Sequence, residues 1–160
     1  SLSFDPGSYQ MIRELGREEF ARVTRGLRFD FVLPNVDEGR ALTGEKRPAL
    51  IVEALRDLYP GAMILLKLDR EGALVSDGDR LLEVPATRDD ATDATGAGDS
   101  FGGAFLGHYL RSRDALGAAQ LAVAVAGWVV GRFGARPLPD DDLRQRIARL
   151  GPKTTPPAAG

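Results

Sequence analysis

Residues 93–101, which read Asp-Ala-Thr-Gly-Ala-Gly-Asp-Ser-Phe, constrain this chain more than any other stretch. They follow a series of short apolar strand patterns and open an apolar helical pattern that continues to about Ser112. Two glycines at a helix start let the backbone approach a bound anion closely, and the first free N–H groups of the helix point at that anion. The stretch therefore predicts an anion site formed by the amides of Gly96, Ala97 and Gly98.

Asp99 is out of place in a site that only binds an anion, because its carboxylate would repel a phosphate. Its position is explained if it faces a second substrate and takes a proton from a hydroxyl while the amides hold a phosphoryl group. An anion site and a base on one turn indicate phosphoryl transfer to an alcohol.

Other glycine-rich motifs fit these residues less well. A dinucleotide-binding fingerprint needs a third glycine where Phe101 stands, and a Walker-type P-loop needs a lysine after its second glycine. A nicotinamide-dependent oxidoreductase is disfavoured for the first reason. A glycine loop capped by Asp93 or Thr95 before an ordinary helix is the simplest structural alternative.

The composition of the chain limits the partners and the chemistry that it can have. A chain of 160 residues with 43% hydrophobic residues can bury one core, and its net charge of −2 argues against a nucleic-acid partner. It contains no cysteine, which excludes disulfides and thiolate chemistry, and its one histidine, His108, has no second ligand at metal spacing. Residues 116–131 are apolar but too short for a membrane span. With no signal peptide visible, we expect a cytoplasmic protein without a membrane partner.

The periodicity of apolar residues predicts alternating strands and helices, and hence an α/β domain around a mainly parallel sheet. This domain spans residues 1–150, and the Pro- and Ala-rich residues 151–160 are expected to form a disordered tail. The predicted strands are residues 2–5, 30–33, 63–68, 73–76 and 81–84. The predicted helices cover residues up to Leu15, 17–24, 35–44, 48–58, 96–112, 116–131 and 140–150.

The string in residues 93–101 closely resembles the C-terminal signature of the ribokinase-like (PfkB) carbohydrate kinase family. The resemblance covers nearly the whole chain but only the C-terminal half of the family pattern. It implies the C-terminal portion of a ribokinase-like three-layer sandwich, without the lid. It also implies phosphorylation of a sugar hydroxyl by ATP, with Asp99 as general base and the backbone of Gly96, Ala97 and Gly98 as anion hole. Because the N-terminal half of the family supplies most sugar contacts, the isolated chain is expected to be inactive.

Residues 35–38, Asn-Val-Asp-Glu, are similar to the N-x-x-E motif of the same family. By resemblance, Glu38 helps to organise the magnesium-bound phosphates through water, and Asn35 supports that network. A capping box, in which the Asn35 and Glu38 side chains each bond the other residue's backbone amide, accounts for the same residues without any ligand.

Residues 67–72 lie where relatives have a strand end followed by G-x-x-G near the nucleotide. Gly72 matches the second glycine, and Lys67 is either a nucleotide contact or a solvated strand end. Asp69 replaces the first glycine, and its charge should weaken ATP binding unless the side chain points away or is paired, for example with Lys67 or Arg70.

Residues 131–135 resemble the loop that, together with residues 93–95, surrounds a monovalent cation in many relatives. Asp93 would then supply a side-chain oxygen to K⁺, and helix capping is the alternative role for this residue. The expected partners are thus ATP, Mg²⁺, K⁺ and a small sugar acceptor, and homo-oligomer formation is left open. A truncated or degenerate kinase-like domain that binds nucleotide without catalysis is the second interpretation of the whole chain.

Overall fold

The structure is a computed structural model that describes residues 1–87 and 89–151. The chain divides into two compact units, Ser1–Ala86 and Thr87–Gly160. The single domain over residues 1–150 stays a prediction. The predicted disordered tail lies, apart from Gly151, outside the described residues.

The first unit contains five strands and four α-helices within the described residues, in the order that the sequence predicts. They are β1 (Ser3–Phe4), α1 (Tyr9–Leu15), α2 (Arg17–Thr24), β2 (Phe31–Val32), α3 (Val36–Thr43), α4 (Pro48–Leu58), β3 (Met63–Lys67), β4 (Ala73–Asp77) and β5 (Arg80–Val84).

The strands form one sheet in the order β1-β2-β3-β4-β5. The pairs β1–β2 and β2–β3 are parallel, whereas β3–β4 and β4–β5 are antiparallel. The prediction of a mainly parallel sheet is therefore wrong, and the sheet is mixed. The reason lies in the connections, because residues 68–72 and 78–79 are too few for the crossover that parallel neighbours require.

The core of this unit lies between the parallel strands and the helices that connect them. Val32 and Ile64 in the strands and Ile12, Ile51 and Leu55 in the helices have no exposed surface. In α4 the buried residues recur at helical spacing, as the apolar pattern of residues 48–58 predicts. This packing holds the carboxyl ends of β1, β2 and β3 in register.

The second unit contains three helices within its described residues, α5 (Ala97–Ser112), α6 (Ala115–Val130) and α7 (Asp141–Leu150). In α6, Ala118 and Ala122 are fully buried, and their small side chains allow a neighbouring helix to approach closely. Across the described part of the chain, every helix is too short or too polar to span a membrane.

Candidate active site

The first turn of α5 is preceded by a glycine that no other residue could replace easily. Gly96 has a φ of 80°, and a Cβ at this position would lie 2.3 Å from the carbonyl oxygen of Ala135. Both the left-handed backbone and the close approach exclude a side chain. The loop of residues 131–135 therefore packs directly against the start of α5.

The amides of this turn differ in what they bind. The Ala97 amide donates to the carbonyl of Ala94 at 3.2 Å, which removes it from the anion hole expected from sequence. Within the described residues, the amides of Gly98 and Asp99 have no hydrogen-bond acceptor. Two adjacent N–H groups are thus available at the positive end of the helix dipole.

The carboxylate of Asp99 stands in the same turn and is exposed. It forms no hydrogen bond or ion pair with any residue that the structure describes. A free carboxylate next to two open amides is the arrangement that a proton acceptor beside an anion site requires.

Asp93 joins the two loops that precede and follow the central helices of this unit. Its Oδ1 accepts a hydrogen bond from the Thr95 amide and its Oδ2 accepts one from the Gly134 amide, each at 2.9 Å. Hydrogen bonds from Thr95, followed by the bond from Gly134, lower the pKa of the Asp93 carboxyl below its ordinary value. The structure thus brings together the two segments that the sequence assigned to a cation loop, and Asp93 is ionised there.

In the first unit, Asn35 and Glu38 form a complete capping box at the start of α3. The Asn35 side chain accepts from the Glu38 amide at 2.9 Å, and Glu38 Oε2 accepts from the Asn35 amide at 2.8 Å. Glu38 is only 3% exposed, and its Oε1 has no hydrogen-bond donor among the described residues. Burial is the largest influence on this carboxyl and raises its pKa, which the Asn35 amide partly offsets. Capping explains one carboxylate oxygen and leaves the other available.

Lys67 ends β3 and forms an ion pair with Asp5, which directly follows β1. The distance from Lys67 Nζ to Asp5 Oδ2 is 2.6 Å, and the Lys67 side chain is 14% exposed. The Lys67 amide also donates to the Pro34 carbonyl, next to Asn35. Sequence reasoning did not assign this partner to Lys67, although both residues stand at carboxyl ends of the sheet strands, where α/β proteins commonly bind ligands.

Gly72 and Asp69 both have positive φ angles, of 104° and 52°. A Cβ at Gly72 would lie 2.0 Å from the carbonyl oxygen of Val84, so this glycine is required by the packing of the β5 end against the turn. Asp69 is exposed, and neither Lys67 nor Arg70 pairs with it within the described residues. Asp69, which replaces a glycine of the family pattern, thus adopts a left-handed backbone conformation that glycine adopts without strain.

Within residues 1–87 and 89–151, no three acidic or histidine side chains form a group that could hold a metal ion. Glu38 can act toward a hydrated cation only through its single available oxygen. This matches the water-mediated role that magnesium, which keeps several waters, allows.

The comparisons with known proteins agree on one family. The sequence profile of the "pfkB family carbohydrate kinase" matches residues 19–141. An ATP-dependent 6-phosphofructokinase of Thermoanaerobacterium thermosaccharolyticum is 28% identical over 144 residues, which cover 88% of this chain and 44% of that protein. An uncharacterized sugar kinase of Archaeoglobus fulgidus is 34% identical over 138 residues, covering 85% of this chain and 52% of that protein.

Among solved structures, the adenosine kinase of Sinorhizobium meliloti matches with a TM-score of 0.79 and 27% identity. The match covers 91% of this chain and 44% of that one. The chain therefore spans about half the length of these relatives and has their α/β fold over nearly all of its own length. On the profile match and this shared ribokinase-like fold, the chain belongs to the pfkB family of carbohydrate kinases.

Proposed function

We propose that the polypeptide containing this chain transfers the γ-phosphoryl group of ATP to the hydroxyl of a sugar or sugar-like acceptor. The observation that carries the proposal is the first turn of α5, where the open amides of Gly98 and Asp99 stand beside the free carboxylate of Asp99. Family membership gives this turn its expected chemistry, because the family profile spans residues 19–141, which include the turn, and relatives are named after this activity.

Each group on the turn has a distinct role in this proposal. The amides of Gly98 and Asp99 bind the oxygens of the transferred group, on which negative charge is distributed during transfer. Asp99 accepts the proton of the acceptor hydroxyl as the new O–P bond forms. The Ala97 amide supports the turn through Ala94 rather than the anion itself.

Residues of the first unit are proposed to serve the nucleotide and its metal. Glu38 presents Oε1 toward the water shell of Mg²⁺, and Asn35 fixes the orientation of Glu38 through the capping box. Mg²⁺, when bound, neutralises charge on the phosphates. Lys67 and Gly72 are proposed to lie along the nucleotide, with Asp5 holding the Lys67 ammonium in place.

Asp93 is proposed as the side-chain ligand of a monovalent cation such as K⁺. Each of its carboxylate oxygens accepts one amide N–H and keeps a further lone pair, so the residue fits this role together with backbone carbonyls.

A second function, nucleotide binding without catalysis, is favoured by Asp69. Its exposed carboxylate replaces a glycine of the family pattern at a turn assigned to the nucleotide. The free carboxylate of Asp99 and the available oxygen of Glu38 support the catalytic alternative.

The decisive experiment joins this chain to the region of the relatives that it does not span. ADP release is then measured with a ketohexose phosphate, ribose and adenosine as acceptors, since the relatives carry names of different kinases.

Asp99→Asn should leave ATP binding unchanged and reduce turnover by at least about a hundredfold. Ser100→Ala on the same turn serves as the matched control. Near-normal turnover of the Asp99→Asn protein would refute the role of Asp99, and ATP binding without turnover for any acceptor would favour the second function.

A further inference from the structure

A groove of about 420 Å³ lies on the second unit, between α5, α6 and α7. Its α5 wall begins at Ser100, directly after Asp99, and runs along the helix to Arg111, whereas the proposed reaction uses neither the apolar floor nor the arginines of the groove. Its floor consists of apolar side chains from α6 and α7, including Val125, Trp128, Leu143 and Ile147. The volume lies within the range of pockets that bind small organic molecules.

The α5 side of the groove is open because two of its residues are glycines. A Cβ at Gly103 or Gly107 would meet no atom within 4 Å. These glycines therefore do not serve close packing between the described residues of this unit, and they leave the α5 side of the groove open.

The charged groups of the groove are all cationic. Arg111 and Arg136 line it, and neither forms an ion pair with any described residue. By contrast, Arg132 and Arg146 in the same unit are paired with Asp140 and Asp89. Among the described residues that line the groove, none carries a carboxylate to compensate this positive charge.

His108 supplies a polar atom to this apolar wall. It is 5% exposed, and its Nδ1 lies 2.8 Å from the hydroxyl oxygen of Ser112. Its Nε2 has no partner within the described residues. Among those residues, every fully buried side-chain nitrogen or oxygen has a hydrogen-bond partner. Nε2 has none, so it is not fully buried, and the imidazole to which it belongs lines the groove. The open ring nitrogen can therefore exchange a hydrogen bond with a polar group that enters the groove.

We propose that this groove binds a small amphipathic organic anion. Its apolar body lies over Trp128 and Val125, its anionic group lies between Arg111 and Arg136, and a polar atom bonds His108 Nε2. Burial of the apolar body supplies most of the affinity, and the arginines select for the anion.

Two unique residues report on occupancy. Trp128 is the only tryptophan and His108 the only histidine of the chain. The test titrates the chain with anilinonaphthalene sulfonate, an aromatic body with one anionic group, and with phenylnaphthylamine, which lacks that group. We expect saturable quenching of Trp128, a shift of the His108 ring resonances with the same dissociation constant, and tighter binding of the sulfonate.

Two variants separate the contribution of the apolar groove to binding from that of the arginine charges. Gly107→Leu fills the groove, and it should abolish both signals while improving helix propensity. Arg111→Gln combined with Arg136→Gln should lower the affinity for the sulfonate by about three- to tenfold at low salt. The affinity for phenylnaphthylamine should stay unchanged. Arg149→Gln, an exposed arginine of α7 outside the groove, is the matched control.

Equal binding of the two probes, or signals that persist in Gly107→Leu, would overturn the proposal. So would a change of oligomeric state in Gly107→Leu, measured by sedimentation, because the groove would then be an interface between protein chains. Thermal unfolding of each variant shows whether the fold is retained, and the double arginine variant tests the anion preference even if Gly107→Leu does not fold.

Discussion

The ammonium of Lys67 lies 2.6 Å from the Asp5 carboxylate, although 62 residues separate the two in sequence. Both influence Glu38, whose pKa is raised by burial and by Asp5 and lowered by Lys67. The ends of β1 and β3, together with the start of α3, thus form one electrostatic group.

Replacing Asp5 by asparagine should lower the pKa of Glu38. The substitution removes a negative charge that disfavours ionisation of Glu38 and leaves the positive charge of Lys67 in place. The titration of the Glu38 side-chain carbon by NMR measures this shift. Asp37→Asn is the control, because Asp37 has the smallest of the influences on Glu38 and should give a smaller decrease. An unchanged or raised pKa in Asp5→Asn would contradict the arrangement.

The raised pKa of Glu38 should make stability depend on pH. The folded protein binds this proton more strongly than the unfolded chain does, whose carboxyl has an ordinary value of 4.5. The contribution of Glu38 to the free energy of unfolding is therefore complete below pH 4.5 and is lost as the pH rises through the pKa of Glu38 in the folded protein. Urea unfolding at a series of pH values should show a falling free energy of unfolding across this window, and Glu38→Gln should remove that slope. A slope that persists in Glu38→Gln would assign it to another group.

Replacing Asp69 by glycine should tighten ATP binding if its carboxylate faces the nucleotide. The gain should shrink as salt screens the repulsion. Asp69→Asn is the control, because asparagine removes the charge but still tolerates the left-handed backbone found at a φ of 52°. Calorimetric titration with ATP at low and high salt measures both effects. If neither variant changes the affinity at low salt, the Asp69 side chain points away from the nucleotide.

Gly72→Ala should destabilise the fold by more than about 1 kcal/mol, because its methyl group would collide with the Val84 carbonyl in addition to requiring a positive φ. Gly61→Ala is the control, since Gly61 has a φ of 86° but open space around it. The difference between the two variants in denaturant unfolding isolates the collision. Equal losses would show that the β5 end moves away without cost.

Much of this architecture follows from local sequence. The helix predicted from Asn35 to Gly44 is observed as Val36–Thr43, because its capping box and its C-terminal glycine are local signals. The helix that opens with the glycine motif was likewise expected, and it begins at Ala97.

Other features depend on contacts that no local pattern encodes. The pairing of Lys67 with Asp5 requires β1 and β3 to lie on either side of β2. The loss of the Ala97 amide to Ala94 depends on how tightly the turn closes, and glycine spacing does not reveal that. The sequence of residues 77–79 predicts the hairpin between β4 and β5, whereas the antiparallel pairing of β3 with β4 was not predicted.

The bridge made by Asp93 has a consequence for which residues can occupy this position. Each of its two oxygens receives an N–H group, one from Thr95 and one from Gly134. Asparagine has nearly the same shape but would turn an NH₂ group toward one of these amides, so that donor faces donor. Shape alone therefore cannot satisfy the position, and the two hydrogen bonds that Asp93 makes to these loops require a side chain whose terminal atoms carry no hydrogen.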